Sequence, residues 1–278
     1  MARVIMSDVA DLAGVNKGTV SRALRGDRRI SPETRQRVWD AAKKLGYELN
    51  AVASGLSSHK TNLVGVAVER INAPWLGDFL GALSGVLNRF KMELLLFDVG
   101  TSAVSIENAL RRIGSRKADG VIWAGARELD RGVLDVPVVR VGLKAYEGEY
   151  LVGIERQAVC DCVKNSAKTR PVIYRGGPFA FAPFLSDLQS ADGTGRPFII
   201  WDGLDDLPGD ETPSLFCGSE QTARLLSAGC LRFPARQLGA LSARVLNNVL
   251  RGSGVRPKTT LVKVPLVSPT GEFVFSVK

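Results

Sequence analysis

The sequence predicts a small all-α helix-turn-helix domain, a hinge, and a two-lobed α/β core whose second lobe is short. Three observations predict this. Residues 1–46 hold three short helical patterns, opened by capping residues and closed by glycines. Residues 47–60 are rich in Ser and Gly and make a poor isolated helix. Over 61–278, short apolar runs alternate with amphipathic stretches, the pattern of a parallel sheet covered by helices.

In the first helix, Ser7 is the expected cap, Val9, Ala10, Leu12 and Ala13 are the apolar positions, and Gly14 is the stop. Asn16 is placed to cap a second helix, from Lys17 to Leu24, that ends near Gly26. Two short helices joined by a Gly-containing turn match a helix-turn-helix. Ser31-Pro32-Glu33 then opens a third helix with a cap, a proline at its first position and an acid for the dipole. Its apolar residues Val38, Ala41, Ala42 and Leu45 share one face, and Gly46 closes it.

Charge indicates what this domain meets. The chain carries a net +9, and residues 1–60 hold eleven Lys/Arg against six Asp/Glu, a balance of +5. More than half of the excess thus sits in under a quarter of the chain, which favours a nucleic-acid partner. On the second helix Val20, Ala23 and Leu24 face inward, leaving Lys17, Gly18, Ser21, Arg22 and Arg25 outward. Arg22 suits a bidentate bond to a guanine edge, while Thr19 and Ser21 suit phosphate or base contacts. The rival reading is a solvated basic face on a small protein–protein domain.

The run Asp8-Val9-Ala10-Asp11-Leu12-Ala13-Gly14-Val15, followed by Thr19-Val20-Ser21-Arg22-Ala23-Leu24, resembles the lactose/galactose repressor family of bacterial regulators. Ser31-Pro32-Glu33-Thr34-Arg35, Arg37-Val38 and Leu45-Gly46-Tyr47 extend the resemblance over about 60 residues, in the right order. It implies that Lys17, Gly18 and Arg22 occupy base-reading positions. Gly18 departs from the pattern in having no side chain, so reading would lean on Lys17 and Arg22. In that family, two hinge helices pair in the minor groove and a leucine wedges between base pairs. Leu56 is the matching residue here, with Ala53 on the neighbouring face and Asn50 as the expected hinge cap. A plain Ser/Gly linker is the alternative. The candidate DNA-contacting set is Ser7, Asn16, Lys17, Gly18, Thr19, Ser21, Arg22, Arg25, Asn50, Ala53 and Leu56.

In the core, 63–68 reads as a buried strand and 78–90 as a helix with Phe79, Leu80, Leu83, Val86 and Leu87 inward. Residues 94–97, 106–113, 121–123 and 136–139 continue the alternation. A second round is expected at 151–154, 156–165, 172–174, 198–201, 215–217 and 220–226, then a long helix over 236–250 and an extended segment over 260–267. The resemblance implies a periplasmic-binding-protein-like core, carried by Asp119-Gly120-Val121-Ile122, Pro137-Val138-Val139 and the 233–239 stretch. It thins after about residue 145. The second lobe, roughly 146–230, is too short for the usual strands and helices. The ligand-gripping arginine that family members tend to carry after the strand at 172–174 is replaced by the apolar run 176–183.

Ligands in such folds bind at the carboxyl ends of strands. Candidate effector contacts are Asn72, Trp75, Asp78, Trp123, Arg175 and Asp202, with core packing as the competing role for Trp123. No phosphate-binding loop, nucleophile elbow or metal-ligand cluster is present in the sequence, and its single His lies in the hinge. No enzyme, cofactor or metal is therefore expected. Cys160, Cys162, Cys217 and Cys230 read as buried thiols. No apolar run reaches membrane-span length, and the polar start gives no secretory signal, so a cytoplasmic protein, on the nucleoid when bound, is expected.

The expected function is a homodimeric regulator, most often a repressor, on a near-palindromic double-stranded operator, controlled by a small effector such as a sugar or nucleobase. The alternative is a DNA-binding dimer whose degenerate core binds no effector and is controlled by another protein or by its level. A fused enzyme and a stand-alone solute-binding protein are lesser rivals. Dimer contacts are expected around 86–89 and 96–113.

Overall fold

The computed structural model describes residues 4–24, 26–47, 60–73, 75–125, 129, 132, 134–142, 144–176, 183–202, 213–218, 220–253, 259–264, 266–268 and 273–274. Arg25, Asn50, Ala53, Leu56 and most of the 176–183 run lie outside them. The chain divides into two compact units, Met1–Thr61 and Asn62–Lys278.

Among its described residues the first unit holds three helices, α1 (Met6–Ala13), α2 (Lys17–Leu24) and α3 (Pro32–Leu45). Each ends on a glycine in the left-handed region: Gly14, Gly26 and Gly46, with φ of 65°, 73° and 66°. The following residue's N–H returns to the helix each time, Val15 to Ala10 O at 3.0 Å, Asp27 to Arg22 O at 3.0 Å and Tyr47 to Ala42 O at 2.9 Å. These six-to-one bonds satisfy carbonyls that would otherwise be orphaned at the helix ends. The starts are capped differently from one another. The Thr19 N–H donates to Asn16 Oδ1 at 2.8 Å and the Thr34 N–H to Ser31 Oγ at 3.2 Å. At α1 the expected Ser7 cap is corrected: Ser7 lies inside the helix, and the Ile5 N–H donates to Asp8 Oδ2 at 2.9 Å. The carboxylate at the third helical position thus reaches back to the residue before the helix, the return half of a capping box without the leading hydroxyl.

Small side chains let these helices approach closely. Val9, Ala10, Ala13, Val20, Ala23, Val38, Ala41 and Ala42 are buried together, with Leu24, Ile30, Leu45 and Tyr47 packed on them. Leu12, expected inside, is 46% exposed. Arg35 holds the turn between α2 and α3, its Nη2 donating to Asp27 O at 3.0 Å and Ile30 O at 3.2 Å.

The second unit holds two six-stranded sheets. The first has the order β10-β5-β4-β3-β1-β2 and is wholly parallel. Its strands are β1 (Leu63–Val68), β2 (Glu93–Asp98), β3 (Gly120–Ala124), β4 (Val138–Gly142), β5 (Tyr150–Ile154) and β10 (Thr259–Val262). Helices α4 (Leu76–Arg89), α5 (Ala103–Ser115) and α8 (Ala235–Leu250) accompany it. The second sheet runs β12-β11-β9-β8-β7-β6. It is built from β6 (Val172–Gly176), β7 (Phe198–Asp202), β8 (Leu215–Gly218), β9 (Gly229–Arg232), β11 (Leu266–Val267) and β12 (Phe273–Val274). Helices α6 (Arg156–Ala167) and α7 (Glu220–Leu225) belong with these strands, and α6 packs against a short 3-10 helix, Pro183–Leu188.

The chain crosses between lobes after β5, after β9 and after β10. Three expectations change accordingly. The 151–154 strand opens no second lobe; it pairs with β4 in the first sheet, Val139 opposite Tyr150. The extended segment expected over 260–267 splits, β10 pairing with β5 and β11 with β9 in the other sheet. β9 was not anticipated. With β11 and β12 returning from the carboxyl end, the second sheet has a full set of strands. Its shortness falls instead on the helices among the described residues.

One apolar cluster runs through both lobes, from Val64, Phe79 and Leu83 to Val172, Ile200 and Leu215. Helices α4 and α8 cross closely in it, where a Cβ on Gly239 would stand 2.3 Å from the Phe79 carbonyl oxygen. A glycine is required there by contact with backbone, which cannot move aside. The link from β4 to β5 is held by a buried ion pair. Arg140 Nε and Nη2 donate to Glu149 Oε2 and Oε1 at 2.5 and 2.9 Å, and Nη1 donates to Gly125 O at 3.0 Å. Both side chains are 1% exposed or less.

Candidate nucleic-acid interface

Helix α2 buries Val20 and Ala23 and turns Lys17, Gly18 and Arg22 to solvent, with Thr19 and Ser21 half-buried beside them. This division follows from the 3.6-residue period, which sets 20, 23 and 24 on one side. Gly18 leaves a shallow place between two polar groups. A methyl group there would come within 3.3 Å of Asn16 Oδ1 and 3.4 Å of Arg22 Nη2. Arg22 therefore lies back over the first turn, with no side chain at 18 to displace it. Asn16 spends its carbonyl oxygen on the cap. Ser7 is half-buried in the first turn of α1. Lys17 and Arg22 make no ion pair among the described residues, and both stay exposed.

The six effector candidates of the core do not converge. Asn72 is exposed and accepts a bond from Arg70 Nε at 3.2 Å. Trp75 is half-buried, edge-on to Phe79 at 5.7 Å and tilted against Phe233 at 5.2 Å. Asp78, in the first turn of α4, lies 3.6 Å from Arg236 in the first turn of α8, and both side chains are mostly exposed. These three stand near one another after β1. Trp123 is a correction: it is fully buried on the other face of the first sheet, among Ala67, Phe97 and Ile106, so it cannot line a cleft.

Arg175 and Asp202 are separated as well. In the β6–β7 register Arg175 stands opposite Trp201 and Gly176 opposite Asp202, so the pleat sends the two side chains to opposite faces. Asp202 is 1% exposed and accepts the Tyr174 O–H at 3.0 Å. Burial, and then the Asp202 carboxylate, push the Tyr174 phenol up from its ordinary value. The same two causes raise the Cys217 thiol well above its usual range. The Asp202 carboxyl is thus buried, with the Tyr174 phenol bonded to it and the Cys217 thiol close by. Among the described residues no group of His, Cys, Asp or Glu is placed to hold a metal ion.

Residues 5–50 match the family model of the bacterial regulatory proteins, lacI family. The match covers nearly all of the helical domain. Relatives match over the front of the chain. Catabolite control protein A of Staphylococcus xylosus is 32% identical over 122 residues, which is 44% of this chain and 37% of that protein. The HTH-type transcriptional regulator pepR1 of Lactobacillus delbrueckii subsp. lactis is 28% identical over 144 residues, 50% of this chain and 43% of its own length. The match thus spans about two fifths of the curated relatives.

Solved structures extend the likeness in fold to the core. The lac repressor dimer bound to operator and the anti-inducer ONPF superposes with a TM-score of 0.72 at 17% identity, covering 96% of this chain and 98% of that one. A lacI-family regulator from Silicibacter pomeroyi gives 0.69 at 19% identity over 96% and 98%. The lacI-family domain and the two-lobed core are therefore arranged in the same chain order as in the lac repressor.

Two features of this chain are not legible in its sequence. Arg35 was counted as charge, yet its hydrogen bonds fasten the α2–α3 turn. Tyr174 reads from the sequence only as a strand residue, yet on β6 it shares a face with Gly176, whose partner across β7 is Asp202.

Proposed function

We propose that the protein is a sequence-specific DNA-binding transcription regulator that acts as a homodimer, most often as a repressor, on a near-palindromic operator. The observation that carries this reading is the α2 surface of the lacI-family domain. Exposed Lys17 and Arg22 flank a side-chain-free Gly18, on a helix fixed by its own caps. A short-sided basic helix of this kind fits the major groove, where Arg22 pairs with a guanine edge. Thr19 and Ser21 would bind phosphate or base edges, and Ser7, Asn16 and Arg25 the flanking backbone. Asn50, Ala53 and Leu56 would form the minor-groove hinge, with Leu56 as the wedge.

Two domains joined by a hinge, divided at 1–46, 47–60 and 61–278, would suit a dimer that places two such helices in successive grooves. Edge strand β2 supports the dimer through half-buried Leu94, Leu95 and Leu96. At 86–89 the apolar groups Val86 and Leu87 are already buried in the protomer, leaving Asn88 and Arg89 for contact. Binding rather than turnover is the activity, in the cytoplasm; no described helix is long and apolar enough to cross a membrane.

For control, each of the two readings has an observation behind it. The lac repressor neighbour holds an anti-inducer, and a regulator of similar fold, CelR, is a cellobiose complex. Here, however, Trp123 is sealed in the core, Asp202 is bonded to Tyr174, and Arg175 faces away. A dimerisation platform controlled by another protein or by its level fits these commitments. An effector at Asn72, Trp75 and Asp78 is the remaining alternative.

The test is selection of genomic fragments by the purified protein at physiological salt. Recovery of one near-palindromic site with a pyrimidine–purine step at its centre is expected. Retention of fragments with no common sequence would overturn the proposal.

A further inference from the structure

The amino-terminal edge of the first sheet gathers positive charge. The β1–β2 and β1–β3 registers, Leu63 opposite Glu93 and Val64 opposite Gly120, bring Asn62, Lys91 and Lys117 to this one edge. Two bonds close it: the Glu93 N–H donates to Asn62 O at 2.8 Å, and the Asn62 N–H to Asp119 Oδ2 at 2.8 Å. Helices α4, α5 and α8 end here with Arg89, Arg116 and Arg251, the last stacked 5.4 Å over Phe90. Exposed cations of this unit therefore stand at 89, 91, 116, 117 and 251, against the acids Glu93, Asp119 and Asp135.

Cations at helix carboxyl ends offset the helix dipole, and that accounts for the three arginines. It does not account for Lys91 and Lys117. Both have positive φ, 59° and 54°, at positions just past a helix where glycine is the cheaper resident. The edge thus carries more charge than its helix ends require. Arg89, Lys91 and Arg116 make no ion pair among the described residues and are exposed.

Asn62 opens the second unit, and twelve residues, 48–59, separate Tyr47 at the end of the lacI-family domain from Lys60. Whatever that domain binds is tethered to this edge. We propose that the edge is an accessory DNA-backbone surface, with Arg89, Lys91 and Arg116 bound to phosphates of the duplex flanking the half-site. The inference rests on the DNA-binding reading and extends it, since α2 and the hinge leave the core without any contact to DNA. Backbone contacts of this kind add affinity and salt dependence without adding sequence preference.

The test uses the full-length protein with Arg89→Gln, Lys91→Gly and Arg116→Gln combined. Binding is titrated against salt on a 60-bp duplex centred on the selected operator and on one trimmed to the operator itself. On the long duplex the slope of log K against log salt should fall by about 0.9 for each lost contact, up to roughly 2.7 per protomer. On the trimmed duplex variant and wild type should differ less, and their operator preference should be equal. Lys91→Gly alone, which relieves the positive φ, should lower the slope by about 0.9 and keeps the test open if the triple variant is unstable. An unchanged slope on the long duplex, with the wild type binding its operator, would overturn the inference. A wild type without sequence preference would overturn the reader proposal instead, and the slope on that same duplex would still decide for or against the edge.

Discussion

On α2, Lys17 and Arg22 point to solvent and bond to no described acid, while the caps that fix the helix are made by Asn16 and the glycine turns. At the carboxyl ends of β6, β7 and β8 the polar groups are already bonded within the core: Tyr174 holds Asp202, burial keeps Cys217 a thiol, and Arg175 looks the other way. The difference teaches where a partner is expected. Exposed, preorganised groups keep their hydrogen-bonding capacity for a ligand, whereas a buried carboxylate satisfied by a phenol contributes mainly to packing the lobe.

The largest effect that would sharpen this contrast lies in the core. Glu149→Gln leaves Arg140 buried without its charge partner, and should cost about 3–5 kcal/mol of core stability. Urea denaturation followed by tryptophan fluorescence reads it, and a cost under about 1 kcal/mol would show that the pair is dispensable. Next is Arg22→Ala, which should lose about 1–3 kcal/mol of operator binding, roughly 5- to 150-fold, with the melting temperature unchanged. Equal affinities in a direct titration would move base reading elsewhere. Asn16→Ala removes the α2 cap and should cost about 1 kcal/mol of stability in the helical domain, read by thermal melting.

The smallest effect is acid dependence. Hydrogen bonds from Arg29 hold the Asp27 carboxyl at about 2, below its ordinary 3.8. Because the folded value is the lower one, this contribution is complete above about pH 4 and is lost as pH falls through about 2. Asp27→Asn should flatten the melting temperature between those values, whereas an unchanged acid slope would assign it to other carboxylates.

The same contrast decides how much was legible in the sequence. The helical domain is written in local signals: Asn16 and Ser31 cap, Gly14, Gly26 and Gly46 stop, and the period of Val20 and Ala23 fixes which face stays outward. Ser7 fails there as a cap because the helix already starts at Met6, with Asp8 bonding back to Ile5 from inside. In the core the strands were legible as apolar runs, but their sheet was not. Nothing local to Tyr150–Ile154 tells it to pair with β4, and nothing at 260–267 marks the switch between lobes. Trp123 illustrates the remaining difficulty: a residue at a strand end faces a cleft or the core according to the pleat, and its buried face was fixed by Ile106 and Phe97, distant in sequence.

The measurement that tests the central claim most directly is the ratio of affinities of the purified protein for the selected operator and for a scrambled duplex of equal length, at physiological salt. The account predicts a preference of at least about 10³-fold, reduced roughly 5- to 150-fold by Arg22→Ala. A ratio near one, with binding driven by salt alone, would contradict it and reduce α2 to a basic surface without a code.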